Sequence, residues 1–153
     1  MEELNVTYET TQYIVVGLGE EQYGIDIRYI DNIVRMQHIT RVPKVQKDIK
    51  GVINLRGEVI PVVSIRLKMN LPEDEITKDT RIIIVKLDNG DCIGIIVDNV
   101  KEVVTLDTSQ VEKVSYNSKE YKVSYISGIG KNNDELISLL DMNLVFADKE
   151  NTD

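Results

Sequence analysis

Arg56 is the side chain in this sequence best suited to recognition chemistry. It follows Asn54-Leu55 and precedes Gly57-Glu58, at a tight turn between two apolar runs. A planar guanidinium carried on a rigid turn can meet an acceptor group bidentately; a solvated turn arginine is the plainer reading. Asp26 and Asp98 each follow an apolar strand and are the carboxylates to weigh for acid–base work. They do not hold matching places in the repeat described below, so ordinary strand-end carboxylates are the simpler reading. His38, the single histidine, lies in a polar segment, and no Ser-His-Asp or Cys-His arrangement can be assembled around it. With Cys92 the single cysteine, a zinc site lacks ligands and an internal disulfide is excluded. A buried strand thiol is expected. No Asp-x-Asp-x-Asp-Gly loop supplies calcium ligands. Gly17-Leu18-Gly19 and Gly128-Ile129-Gly130 open no helix, so they read as hairpin turns and close backbone packing. No catalytic, metal-binding or cofactor-binding residue is assigned, and no cofactor is expected.

The elements that must position these residues occur twice. Gly24 lies on Gly94, Tyr13-Ile14-Val15 on Ile83-Ile84-Val85, Ile25 on Ile95, Ile27 on Val97, Ile30 on Val100 and Ile33 on Val103. Further on the offset grows: Ile49-Lys50-Gly51-Val52 lies on Ile126-Ser127-Gly128-Ile129, and Glu58 through Ile65 lies on Glu135 through Met142. The added residues fit the polar stretch from Asp107 to Lys122. A period this long is a whole subdomain. Two similar lobes follow, one repeat at about 12–70 and the other at about 80–146, within a single domain at 12–146. Each repeat is near the size at which an isolated core is marginal, so the lobes should share one.

Apolar runs bounded by turn residues mark strands near 12–18, 23–27, 49–55, 59–65, 81–87, 92–97, 121–129 and 136–142, with period-2 alternation at Tyr23, Ile25 and Ile27 and an almost wholly apolar run at 59–65 that implies cover on both faces. Ile27, Ile30, Ile33 and Val34 change to helical spacing, which predicts one helical turn or a bent strand. Pro61 lacks an amide hydrogen and needs a sheet edge or a bulge. Asp88-Asn89-Gly90-Asp91 signals a tight hairpin with positive φ at both Asn89 and Gly90. Many short strands with frequent turns predict an all-β protein, and the duplication selects two small barrels. Residues 1–11 and 147–153 read as flexible termini.

The net charge of −8 disfavours nucleic acid or an anionic membrane as a partner. No apolar stretch reaches 18 residues and no signal-peptide core opens the chain, which argues against membrane insertion. The lone cysteine fits the cytoplasm.

The stretches Tyr23-Gly24-Ile25-Asp26-Ile27, Ile49-Lys50-Gly51-Val52-Ile53-Asn54-Leu55-Arg56-Gly57 and Val59-Ile60-Pro61-Val62-Val63 closely resemble the CheW proteins of bacterial chemotaxis. Gly94-Ile95-Ile96-Val97-Asp98 and Tyr125-Ile126-Ser127-Gly128-Ile129-Gly130 resemble that family's second half, so the likeness runs from about Gln12 to Phe146. It implies two five-stranded barrel lobes around a shared apolar core, with short helical turns. It implies a non-enzymatic adaptor between the cytoplasmic tip of methyl-accepting chemoreceptors and the regulatory domain of the CheA histidine kinase, in the cytoplasm at membrane-associated arrays. By position it places Ile30, Arg56, Val100 and Val103 on the receptor side, and Gly51, Asn54 and Gly57 in the coupling region or its turn geometry.

Four positions depart from the family pattern. Ser64 stands where an Asp commonly precedes a Leu-Arg pair, Ile65 replaces that Leu before Arg66, Asn99 stands where a Gly commonly follows Asp98, and Asn32 where an acidic residue would pair with Arg56. Two other readings remain open on the residues alone: a small β-barrel enzyme or metabolite binder with Asp26 and Asp98 at the lobe junction, and a regulatory domain excised from a larger kinase or adaptor. A first strand near Gln12 and a charged tail ending at Asp153 fit a free-standing protein.

Overall fold

The computed structural model describes residues 9–114 and 125–147. In chain order they form β1 (Thr10–Leu18), β2 (Glu21–Asp26), a 3-10 turn (Ile27–Tyr29), β3 (Ile30–Arg35), β4 (Ile49–Leu55), β5 (Glu58–Ser64), α1 (Ile65–Lys68), β6 (Arg81–Lys86) and β7 (Cys92–Val97). There follow β8 (Asn99–Asp107), a second 3-10 turn (Thr108–Gln110), β9 (Val111–Lys113), β10 (Ile126–Asn132), β11 (Glu135–Leu140) and α2 (Met142–Ala147). The predicted strand over 121–129 lies partly outside the described residues, and 1–8 and 148–153 lie outside them entirely. The bent segment after β2 is both things that its spacing allowed, a 3-10 turn and then a strand.

The strands make two sheets, which are the two lobes. One runs β8-β1-β2-β11-β10-β9 and the other β3-β6-β7-β5-β4. The assignment of one repeat to one lobe does not survive. The second sheet is the continuous segment 30–97, and the first sheet joins the N-terminal hairpin β1–β2 to everything after residue 98. Each lobe therefore takes its central hairpin from one repeat and its flanking strands from the other. The sixth strand, β9, comes from the inserted stretch and pairs with β10. Among the described residues the chain passes between lobes twice, at Ile27–Tyr29 and at Asp98.

Burial explains the exchange. Alternate residues of the two central hairpins point opposite ways, as strand geometry requires. Ile14, Val16, Leu18, Tyr23 and Ile25 from one hairpin meet Ile83, Val85, Ile93, Ile95 and Val97 from the other in one shared cluster. Val15 points instead into the first lobe with Leu106, Ile137 and Leu139. Ile82, Ile84 and Ile96 point into the second lobe with Ile53, Ile60 and Val62. Strands covered on both faces must be apolar throughout, which is why Ile82-Ile83-Ile84-Val85 is a continuous buried run.

This packing also corrects the repeat alignment at its first strand. Ile14 and Ile83 share the junction core whereas Ile84 does not, so Ile14 matches Ile83, one residue from the expected pairing. The cause is loop length. Leu18 pairs with Glu21 across two loop residues, whereas the Leu87–Asp91 hydrogen bond closes over three. Slipping a strand by one residue would turn every side chain to the wrong face. The second loop also differs from the expected two-residue form. Gly90 alone takes positive φ, at 95°, and Gly90 N donates to Leu87 O, which is a type I turn closed by a glycine bulge.

Pro61 sits in an inner strand. The parallel pairing of β5 with β7 begins only at Val62, so on that side Pro61 faces no partner. Gly24 and Gly94, at matching places in the repeat, both sit in close packing. A Cβ at Gly24 would lie 2.9 Å from Leu139, and one at Gly94 2.8 Å from Ile82. Cys92 begins β7 half-buried rather than fully buried. His38 is exposed in the loop after β3, as expected.

Candidate docking surface

Each chain crossing delivers one of the expected receptor-side residues. Ile30 opens β3 directly after the first crossing, and Val100 is the second residue of β8 after the other. Both are half-buried and pack on the shared core from opposite lobes. A β-bulge follows each. Ile30 pairs with Val85 and Asn32 with Ile84, leaving Asp31 extra. Val100 pairs with Val16 and Glu102 with Val15, leaving Lys101 extra. Such bulges bend a strand and re-aim its side chains, often beside functional surfaces. Val103, two residues further along β8, is 48% exposed and offers an apolar face to solvent.

Arg56 stands at the β4–β5 turn, exposed, with φ 54°. A non-glycine residue in the left-handed region carries a conformational cost of about 1–2 kcal/mol. Asn133 holds the equivalent turn of the other lobe with φ 59°, and asparagine tolerates that region far better. Gly57 follows with φ 85°, and its amide donates to Asn54 Oδ1 at 3.2 Å. Asn54 and Gly57 thus shape the turn that holds Arg56 out. Among the described residues nothing pairs with the guanidinium. Asn32, in the place of the family's acidic residue, instead accepts from its neighbour's amide, Ile33 N, at 2.9 Å.

Gly51 is buried in β4 with φ 144°, at a bulge that leaves Lys50 extra. A Cβ there would stand 2.1 Å from Thr40 O, because Thr40 bridges to Val52 and closes the lobe. The position accepts no side chain. It is distant in role from Arg56: Gly51 is a packing constraint, and Arg56 is an exposed group.

The junction carboxylates are both engaged. Asp98 receives Arg66 Nε at 3.0 Å, Arg66 Nη2 at 2.7 Å and Gly19 N at 2.8 Å. The Arg66 guanidinium holds its carboxyl below the usual range, with the Gly19 amide helping and burial opposing. Asp26 caps the first 3-10 turn and takes a bidentate contact from Arg28. Burial acts to raise its pKa, but hydrogen bonds from the Arg28 side chain and amide outweigh that and lower it. Two ionised carboxylates on separate arginines are poorly placed for proton transfer near neutrality. Asp26 does border an open cleft of about 700 Å³, with Thr11, Gln12, Ile27, Arg28 and Thr105 on its walls.

Several residues at the junction carried no signal in isolation. Arg66 on α1 also donates to Pro72 O at 3.0 Å. Asn143 on α2 donates from Nδ2 to Tyr29 Oη and to Asp88 Oδ2, each at 3.1 Å. The offset that places Glu58 on Glu135 also places Arg66 on Asn143, and that was the signal available. Lys68 lies 3.4 Å from Asp48 and 5.8 Å above both the Tyr125 and Phe146 rings. Ser64 caps α1 by accepting from Leu67 N and donates to Asp74 at 2.5 Å. The matching Asp141 caps α2 directly. Asn99, the third departure, lies over Gly17, where a Cβ would come within 2.8 Å of Asn99 Oδ1.

No helix among the described residues is long and apolar enough to cross a membrane. The CheW-like domain model matches residues 12–150. The chain is 38% identical to the chemotaxis protein CheW of Bacillus subtilis over 91% of its own length and 88% of that protein's. It is 36% identical to the CheW of Helicobacter pylori, over 86% and 79% respectively. The crystal structure of the scaffolding protein TtCheW from Thermoanaerobacter tengcongensis superposes with a TM-score of 0.79 at 33% identity, covering 90% of this chain and 93% of that one. With the duplicated frame, the bulged crossings and the Asn-Leu-Arg-Gly turn all in place, this chain belongs to the CheW-like domain family.

Proposed function

We propose that this protein is a non-enzymatic chemotaxis adaptor that couples transmembrane chemoreceptors to the CheA histidine kinase, acting in the cytoplasm at receptor arrays. The observation that carries the reading is Arg56. It is exposed, unpaired among the described residues and held in a left-handed turn, at a place where the other lobe uses asparagine. Strain kept at an exposed charged group points to recognition. Ile30 and Val100, half-buried beside bulges, and the exposed Val103 supply the apolar part of a surface suited to a helical hairpin. Control of the kinase then requires that the adaptor bind the partners' two signalling states with different affinity.

Reconstituted kinase phosphorylation, with and without receptor, tests this. Arg56→Glu should lower receptor-dependent activation about tenfold or more, as loss of an interface anchor does, with an unchanged circular dichroism spectrum. Undiminished activation in a folded variant would remove Arg56 from the interface. Failure of the unaltered protein to couple receptor to kinase would remove the function.

A further inference from the structure

Among the described residues the chain crosses between the lobes twice, and a side chain from a short helix bonds to each crossing. At the second crossing, Arg66 on α1 binds Asp98 bidentately, at 3.0 and 2.7 Å. The same carboxylate takes Gly19 N from the β1–β2 loop, and Asp98 N donates to Gly17 O. At the first crossing, Asn143 on α2 reaches Tyr29 Oη and Asp88 of the β6–β7 loop. The arrangements correspond. Asn143 itself bonds both its crossing and the hairpin loop of the other lobe; at the second crossing Arg66 bonds Asp98, and it is Asp98 that takes the loop amide of Gly19. In each, the next apolar residue of the crossing, Ile30 or Val100, packs on the shared core and is followed by the bulge.

We propose that Arg66 and Asn143 are positioning residues for the docking surface, fixing the angle at which the Val100–Val103 and Ile30 segments leave the lobe junction. The inference rests on the adaptor reading, because it gives those segments a partner. Charge-assisted bonds in a fixed fork geometry add directional constraint as well as energy. A bulge leaves one residue without ladder pairing and locally disrupts the ladder, so contacts from outside the sheet bear on how the strand is aimed. The Arg66 tie is the stronger, since it is ionic, bidentate and supported by a backbone amide.

The test uses Arg66→Ala, Arg66→Lys, Asn143→Ala and Asp98→Asn in the full chain. Each is titrated separately against a receptor cytoplasmic hairpin and against full-length CheA, with amide hydrogen exchange read alongside. Arg66→Ala and Asp98→Asn should weaken receptor binding about tenfold and leave kinase binding within twofold. Exchange should rise at residues 99–103 and stay unchanged at 82–85. Asn143→Ala should give a smaller loss, with faster exchange at 29–32. Arg66→Lys should recover part of the affinity. In a Val103→Ala background, Arg66→Ala should cost less than it does alone, because it acts through that segment.

Equal loss of both bindings would show a purely structural tie and overturn the proposal, as would unchanged exchange at 99–103. If the unaltered protein binds no receptor hairpin, the adaptor reading is the part that fails. The exchange pattern then still decides whether Arg66 sets the segment.

Discussion

At the crossing before β8 the tie is an ion pair, Arg66 to Asp98; at the crossing before β3 it is a neutral amide, Asn143 to Tyr29 and Asp88. The same contrast appears at the hairpin tips, Arg56 in one lobe and Asn133 in the other, both left-handed. It appears again at the bulged glycines. Gly51 has φ 144° and a Cβ there would stand 2.1 Å from backbone, whereas one at Gly128 would stand 3.0 Å from Glu112 O. The frame is symmetric and the chemistry on it is not. The frame is held by the shared core and the bulge pattern, which need only apolar residues at the right period. Individual polar positions are therefore free to differ, and the segment 30–97 has taken the arginine at its tip and the arginine on its helix.

The sharpest way to break the comparison is at the glycines. Gly51→Ala should destabilise by about 3 kcal/mol or more, adding backbone strain to an overlap with Thr40. Gly51→Asp should be worse and should abolish coupling with the fold. Gly128→Ala should cost about 1 kcal/mol, since β9 can give way. Equal midpoints in urea denaturation would show that Gly51 is not the constrained position.

The helix ties come next. Arg66→Ala should cost about 2 kcal/mol and Asn143→Ala about 1, because Arg66 makes a bidentate ion pair with Asp98 whereas Asn143 makes two longer single bonds from an uncharged amide. Thermal unfolding of both variants measures the gap, and a reversed order would contradict the ranking.

Acid titration sharpens the same point. Asp98 and Asp26 are held below the ordinary carboxylate range in the folded chain. The unfolded chain therefore binds their protons first as pH falls. The stability they contribute is complete above about pH 4 and disappears as pH drops through their lower folded values. Melting temperature should fall steeply below about pH 4, and less steeply in Asp98→Asn. An identical slope in that variant would mean that Asp98 titrates alike in both states.

The smallest expected change in stability is at the tip. Arg56→Asn copies the other lobe's turn and should alter stability by less than about 1 kcal/mol, in the stabilising direction, because asparagine suits the left-handed region. Receptor coupling should nevertheless fall. A variant that couples normally would show that the turn, and not the guanidinium, is recognised.

Much of the frame was legible in residue order. Apolar runs between turn residues located most strands within a few residues, and the duplicated glycines announced twin lobes. Gly51 and Gly57 both have positive φ, a backbone requirement that leaves its mark on residue type. The one-residue slip between Ile14 and Ile83 was not legible. Consecutive apolar residues look alike until it is known that both faces are covered. Arg66 was met only as the arginine of the family's Leu-Arg pair and given no role, and Asn143 sits in no motif; their partners lie 32 and 114 residues away in sequence.

Sequence by itself determined the all-β character, the duplication and the Asn-Leu-Arg-Gly turn, since these depend on local period and on φ preferences that each residue carries alone. Packing settled which hairpin belongs to which lobe, where the described chain crosses between them, and what holds each crossing. Those outcomes follow from burying two central hairpins on both faces at once, and that condition belongs to the packed molecule as a whole.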